Sequence, residues 1–274
     1  MNPQKYAITF ACYNQVEYTK KCVESMLKHG LDLNRLVVVD NGSSDDTRSY
    51  LKTLPLGGLI LNRVNLGCGV AWNQGALALQ AEWTIIMNND VIVSKHWIES
   101  LIETAEKNNL KVISPSLIEG ELDYNFEDFS IKASLKMQNA LRLGARHAVC
   151  LAVHQSAWLD VGYFQPIPKL LGYEDTMFFN ELTKANIATG ITGACWLHHF
   201  GSITQSAMKQ ERGLTQKDNL GYRYNYRLLK QSWLTRKLNK LKKVCQEKKW
   251  RTTELKQFGL TMHGLRMHGE FVWK

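Results

Sequence analysis

The sequence predicts an α/β domain built on a largely parallel sheet. Strand-length apolar runs alternate with helical-period segments over residues 7–93, and the runs end in polar clusters. The run at 36–39 is apolar throughout, as expected of a parallel strand covered on both faces.

Residues 7–11 form the first expected strand, broken by Tyr13-Asn14-Gln15. A helix follows, because Val16, Thr19, Val23, Met26 and Leu27 recur at helical spacing over a polar face of Lys20, Lys21, Glu24 and Lys28. His29-Gly30 stops it. The second strand, 36–39, empties into the polar cluster from Asp40 to Thr47. A third strand is expected at 59–61, a loop at 65–69, a helix at 70–80, and a fourth strand at 83–87 ending in Asn88-Asn89-Asp90. Ligands of such sheets bind outside the C-terminal strand ends, so Tyr13, Asp40, Asn65 and Asp90 are expected to share one crevice. Beyond residue 112 the pattern weakens. Residues 119–129, acidic and aromatic, are expected as a loop; order returns at 145–153, at a helix over 174–184 and in the mostly apolar run 191–197.

The chain has 274 residues, 45% hydrophobic and 22% charged, enough for one large domain or two small ones and for a core without disulfides or structural metals. Six cysteines without a CxxC pair argue against a zinc finger and fit a reducing cytosol. No signal peptide opens the sequence and no 18 apolar residues run together, so neither export nor a membrane span is expected. Residues 209–274 hold 17 Lys and Arg against 5 Asp and Glu, whereas the remainder holds 17 against 20. Basicity confined to the tail points to an anionic surface rather than to nucleic acid.

Four places carry candidate chemistry. Asp40 ends a strand, where a carboxylate can accept hydrogen bonds from a base or ribose, or simply shape the turn before the next helix. Asp90 lies between two buried runs, a costly position for a charge unless a cation or a turn compensates it. Glu174-Asp175 sits among aromatic and aliphatic residues; that setting suits a general base, and a helix N-terminus suits the acids equally. His198-His199 follows a strand, and adjacent residues of an extended chain point oppositely, so at most one is expected to ligate a metal.

Taken in order, TFACYNQ, VVVDNGSSDDT, NLGCGVAWNQGAL, WTIIMNNDVIV, LLGYEDTMFF and HHFGSIT make residues 6–205 resemble the inverting family-two glycosyltransferases of GT-A fold. The resemblance implies a mixed, mostly parallel sheet flanked by helices. It implies that Ala11, Tyr13 and Asp40 contact the nucleoside of a nucleotide sugar, that Asn65, Gly67 and Asn73 line its pocket, and that Asn89 and Trp196 belong to the substrate-binding set. Asp90 would be the last member of the DXD motif, binding a divalent metal, manganese or magnesium, on the diphosphate. His199, with His198 as the close alternative, would approach from the other side. Asp175 would be the catalytic base and Glu174 would position the acceptor. Two departures stand out: Asn88 replaces the first DXD aspartate, and TMFFNEL follows Glu174-Asp175 where relatives often carry another acid and an arginine.

The implied reaction is a single displacement. An acceptor hydroxyl loses its proton to Asp175 and attacks the anomeric carbon, and the nucleoside diphosphate leaves with inversion. The expected partners are a nucleotide-sugar donor and a saccharide or lipid-linked saccharide, in bacterial surface-polysaccharide synthesis, with the protein cytoplasmic or peripheral on the inner membrane face. The competing reading is a noncatalytic sugar-nucleotide or glycan-binding module, for which Asn88 is the argument. A dehydrogenase is excluded because Ala11-Cys12-Tyr13-Asn14 stands where a GxGxxG turn is needed. A nucleotidyltransferase lacks its glycine-rich, lysine-containing loop, and nucleic-acid binding lacks a recognition motif.

The expected division is a catalytic domain over 1–208 and a basic, mainly helical extension over 209–274. Within the latter, Leu234, Leu238, Leu241 and Cys245 fall on one helical face, with Arg236, Lys240 and Lys243 elsewhere. That helix either docks on the catalytic domain by its leucines or attaches to an anionic inner leaflet.

Overall fold

A computed structural model describes residues 4–167, 172–201, 203–215, 226–230 and 232–274. Leu170 and Leu171 of the LLGYEDTMFF segment and Ser202 of HHFGSIT lie outside the described residues.

The centre of the sheet is parallel: β1 (Gln4–Cys12) lies between β2 (Leu36–Asp40) and β4 (Ala81–Asn88), and β3 (Gly58–Leu61) joins beyond β2. Helices α1 (Val16–Lys28), α2 (Thr47–Leu51) and α3 (Cys68–Ala78) connect these strands. Side chains alternate between the sheet's faces. Ile8, Phe10, Trp83, Ile85 and Met87 pack with Val23 and Met26 of α1 and with Leu101 of α4 (Trp97–Lys107). Ile86 packs on the other side with Trp72, Trp158 and Phe178. Helix α3 lies close on β1 because residue 75 is glycine: a Cβ there would stand 1.8 Å from Thr9 Oγ1.

Past β4 the sheet becomes mixed. β8 (Cys150–His154) runs antiparallel to both β4 and β6 (Val112–Gly120), while β9 (Thr189–His199) runs parallel to β6 and antiparallel to β5 (Val91–Val93) and β7 (Leu141–Leu143). Helices α5 (Phe126–Met137), α6 (Gln155–Val161), α7 (Glu174–Lys184) and α8 (Ile203–Glu211) follow in chain order.

Two expectations need correction. The loop expected over 119–129 is confined to 121–125: β6 continues to Gly120 and α5 begins at Phe126, its N-terminus capped by the Asn125 side chain, which accepts from Asp128 N at 3.1 Å. The strand was obscured by Ser114-Pro115-Ser116, and the β6–β9 register shifts between Pro115 and Ser116, where a missing N–H is tolerated.

Residues 209–274 are also more than a helical extension. After α9 (Trp233–Phe258) the chain forms a hairpin, β10 (His263–Met267) and β11 (Glu270–Trp273), and β10 pairs parallel with β6. His268 and Gly269, both at positive φ, make its two-residue turn. A third apolar cluster lies under this end, with Ile118, Phe126, Trp196 and Met262 packed by Phe129, Phe271 and Trp273. The boundary expected at 208 therefore cuts through one continuous sheet.

Candidate functional site

The C-terminal ends of β1 and β4 open into a cavity of about 640 Å³. Ala11 and Tyr13 enter its wall from the end of β1, Asn65 from the loop before α3, Asn88, Asn89 and Asp90 from the turn after β4, and His199 from the end of β9. Glu174 and Asp175 line it from the first turn of α7, which Tyr173 enters in the left-handed conformation at φ 72°. Met208 of α8 and Lys243 of α9 complete the far side. Eight expected site residues, Ala11, Tyr13, Asn65, Asn89, Asp90, Glu174, Asp175 and His199, thus share one cavity.

Five others lie off its wall. Asp40 is fully buried, with Oδ2 accepting from Arg48 Nε at 2.6 Å and from Gly42 N at 3.3 Å, so its carboxylate shapes the loop. Gly67 caps α3 at φ 88°, and its carbonyl accepts from Asn41 Nδ2 at 3.2 Å. Asn73 is spent on the backbone of Phe164, donating to its carbonyl at 2.7 Å and accepting from its N–H at 3.0 Å. Trp196 is in the core, its Nε1 donating to Gly193 O and its ring edge-on to Phe129. His198 faces away from its neighbour, as strand alternation requires, with Nδ1 hydrogen-bonded to the Tyr124 hydroxyl at 3.0 Å. Burial pushes it down to about 4.

Sequence reasoning missed several lining residues. Asn41 sits in the DNGSSDDT cluster already singled out, and accepts from Leu66 N while donating to Asn65 Oδ1. Arg146 and His147 open the 145–153 segment in which order is expected to return, but they precede its strand, which begins at Cys150. The Arg146 guanidinium lies over the Phe179 ring at 5.1 Å and donates to Phe179 O and Thr183 Oγ1.

Charge gathers around His199. Its Nε2 lies 3.2 Å from Asp90 Oδ1 and 3.3 Å from Asn88 Nδ2; its Nδ1 faces Glu119 Oε1 at 3.6 Å. Burial works to lower the imidazole pKa, but Asp90 and Glu119 outweigh it and raise it to about 9. Glu119 is held well below the usual carboxylate range by the His199 imidazole beside it and by hydrogen bonds that Oε2 accepts from His263 Nε2 and Lys274 Nζ, each at 2.8 Å. In Glu174 burial raises the pKa, against a hydrogen bond that Oε2 accepts from Gly172 N at 2.8 Å. Asp175 Oδ1 accepts from Thr176 N at 2.7 Å. The cavity's two cysteines, Cys12 and Cys68, are pushed up by burial and are poor thiolate nucleophiles.

Residues 8–162 match Glycosyl transferase family 2. The chain belongs to that family. Two curated members show how far the likeness extends. Glycosyltransferase GlyG of Streptococcus pneumoniae serotype 4 (strain ATCC BAA-334 / TIGR4) is 25% identical over 114 residues, 39% of this chain and 37% of that protein. Putative glycosyltransferase EpsH of Bacillus subtilis (strain 168) is 23% identical over 108 residues, 38% of this chain and 31% of that protein. The matched stretch spans about a third of those relatives. Among solved structures, GalNAc-T7 with UDP, GalNAc and Mn2+ superposes with a TM-score of 0.56 at 12% identity, over 72% of this chain and 44% of that one. S. aureus TarS 1–349 in complex with UDP-GlcNAc gives 0.53 at 16% identity, over 71% and 58%. The family 2 chain has the GT-A fold.

Among the described residues of this family 2 chain no cluster of three or more His, Cys, Asp or Glu is arranged to hold a metal. Asp90 Oδ1 and His199 Nε2, 3.2 Å apart on the cavity wall, offer an oxygen and a nitrogen donor that would hold a divalent cation beside phosphate and water, and His199, its pKa raised by its carboxylate neighbours, would release its proton on binding it. Glu119 stands behind the other ring nitrogen, as partners of metal-bound histidines do.

Proposed function

We propose that the chain is an inverting glycosyltransferase that moves a sugar from a nucleoside diphosphate donor to a hydroxyl of a saccharide or lipid-linked saccharide, in bacterial surface-polysaccharide assembly on the cytoplasmic side. The observation that carries this reading is that Asp175 opens onto the same cavity as the Asp90–His199 pair, so a base and a diphosphate-binding end share one chamber. The UDP and Mn2+ of the GalNAc-T7 structure and the UDP-GlcNAc of the TarS complex support it by likeness of fold.

In this reading Ala11 and Tyr13 hold the nucleoside, with Asn65 and Asn89 lining the pocket. Asp40, Gly67 and Asn73 serve through the loops they brace. Asp90 and His199 hold the divalent cation, manganese or magnesium, which when bound offsets the charge growing on the leaving diphosphate. Asp175 accepts the acceptor's hydroxyl proton as the new C–O bond forms at the anomeric carbon and the bond to the diphosphate oxygen breaks. Glu174, whose pKa burial raises, hydrogen-bonds the acceptor and orients it.

Asp175→Asn is expected to retain donor binding and lose transfer by ~10²–10⁴-fold, measured as nucleoside diphosphate release. Unchanged turnover would remove Asp175 from the role. A second reading, a noncatalytic sugar-nucleotide or glycan-binding module, is favoured by Asn88, an amide where the family motif carries a carboxylate. Turnover of nucleotide sugars with and without manganese separates the two. A thermal-shift screen of UDP-, GDP- and dTDP-sugars identifies the donor to use, since a ligand of the folded state raises its apparent stability.

A further inference from the structure

Helix α9 presents two opposite faces. At 3.6 residues per turn, Trp233, Leu234, Leu238, Leu241 and Val244 fall within an arc of about 140°. All five are 52–63% exposed. The face that meets the body is the other one. Trp250 lies over the Arg142 guanidinium at 5.5 Å, Glu254 is bonded to Arg142 and to Met262 N, and Lys243 lines the cavity. Among the described residues the leucine stripe therefore does not dock the helix on its own protein.

An apolar stripe this long, left in water, marks an interaction surface. Residues 233–251 carry eight Lys and Arg against the single Glu247, and Lys237 Nζ lies 5.1 Å from the Trp233 ring centre, within the apolar arc. Pairing with a second copy of this chain would bring those cations against one another. The charge instead complements an anionic surface, and an amphipathic helix with basic flanks lies in the plane of a bilayer interface, its long lysines reaching up to the headgroups. No described helix is long and apolar enough to cross a membrane.

We propose that the outer face of α9 docks on an anionic lipid bilayer. Lys243, on the inner face, lines the cavity, so the docked helix sets the cavity mouth roughly one helix diameter, ~10 Å, from the headgroups. A lipid-linked acceptor then reaches the site without leaving the membrane. That last step rests on the proposed transfer reaction; the docking does not.

The test uses the full chain and flotation with vesicles of phosphatidylcholine alone or of phosphatidylcholine with phosphatidylglycerol. Flotation is expected only with the anionic vesicles and is expected to fall steeply with salt. The triple variant Leu234→Gln, Leu238→Gln, Leu241→Gln is expected to lose affinity by on the order of a hundredfold, with unchanged far-UV circular dichroism and unchanged turnover of the nucleotide sugar in solution. No flotation with anionic vesicles, equal flotation with both kinds, or flotation undiminished in the triple variant would overturn the docking. So would a wild-type dimer that the triple variant converts to monomer, since a second copy would then cover the stripe. Solution turnover reports on the transfer reading separately.

Discussion

The contact that seats α9 on the body offers the sharpest energetic test. Glu254 and Arg142 are each only 6% exposed, and their carboxylate and guanidinium meet through two hydrogen bonds, 2.6 and 2.8 Å. Glu254 Oε2 also accepts from Met262 N at 2.9 Å, just before β10. Glu254→Ala leaves a buried guanidinium without its counter-ion and an N–H without its acceptor. Breaking one side of a buried pair costs about 3–5 kcal/mol. At the roughly 2 °C per kcal/mol of a chain this size, the melting temperature should fall by about 6–10 °C in differential scanning calorimetry. Replacing both partners, Arg142→Met with Glu254→Leu, should restore most of it, because the pair's desolvation is then removed with the pair. A melting temperature for Glu254→Ala within about 1 °C of the parent would refute the assignment of this pair as the anchor.

Three further outcomes follow from named contacts. Burial raises the folded-state pKa of Glu174 above 4.5, so the native chain binds more protons than the unfolded one and stability falls as pH rises through that interval; Glu174→Gln should match the parent near pH ~4 and melt higher near pH ~7, in melting curves recorded across pH. Glu119→Gln weakens the support behind His199 and should reduce manganese-dependent donor binding about 10–100-fold, read by calorimetric titration. Gly75→Ala forces a methyl onto Thr9 and should cost about 1–3 kcal/mol in denaturant unfolding, whereas Gly75→Ala with Thr9→Ala should recover part of it.

The parts of the fold legible in the sequence are those where local pattern and tertiary environment agree. Strands β1, β2 and β4 are apolar runs that end in polar clusters, and their ends surround the cavity. β6 hid behind Ser114-Pro115-Ser116, and β10 behind the charge of the helix before it; both are recognised only once their partners across the sheet are known. The site shows the same limit. Asp40 and Asp90 look alike as strand-end carboxylates, yet Arg48 folds back on the first and leaves only the second facing the cavity. His198 and His199 are distinguished by strand alternation, a rule available from sequence, but which of them faces outward depends on how β9 registers with β6. Trp196, assigned to the substrate-binding set by the resemblance, is instead a fully buried ring packed against Phe129, and that burial depends on helix α5, far away in the sequence.

The β10–β6 pairing bears on how this protein should be divided for study. A fragment ending at residue 208 would contain every family motif and leave Leu117 to Gly120 of β6 without the strand that covers them. A bare sheet margin of that kind recruits other chains, so the shortened protein should precipitate although its motifs are intact.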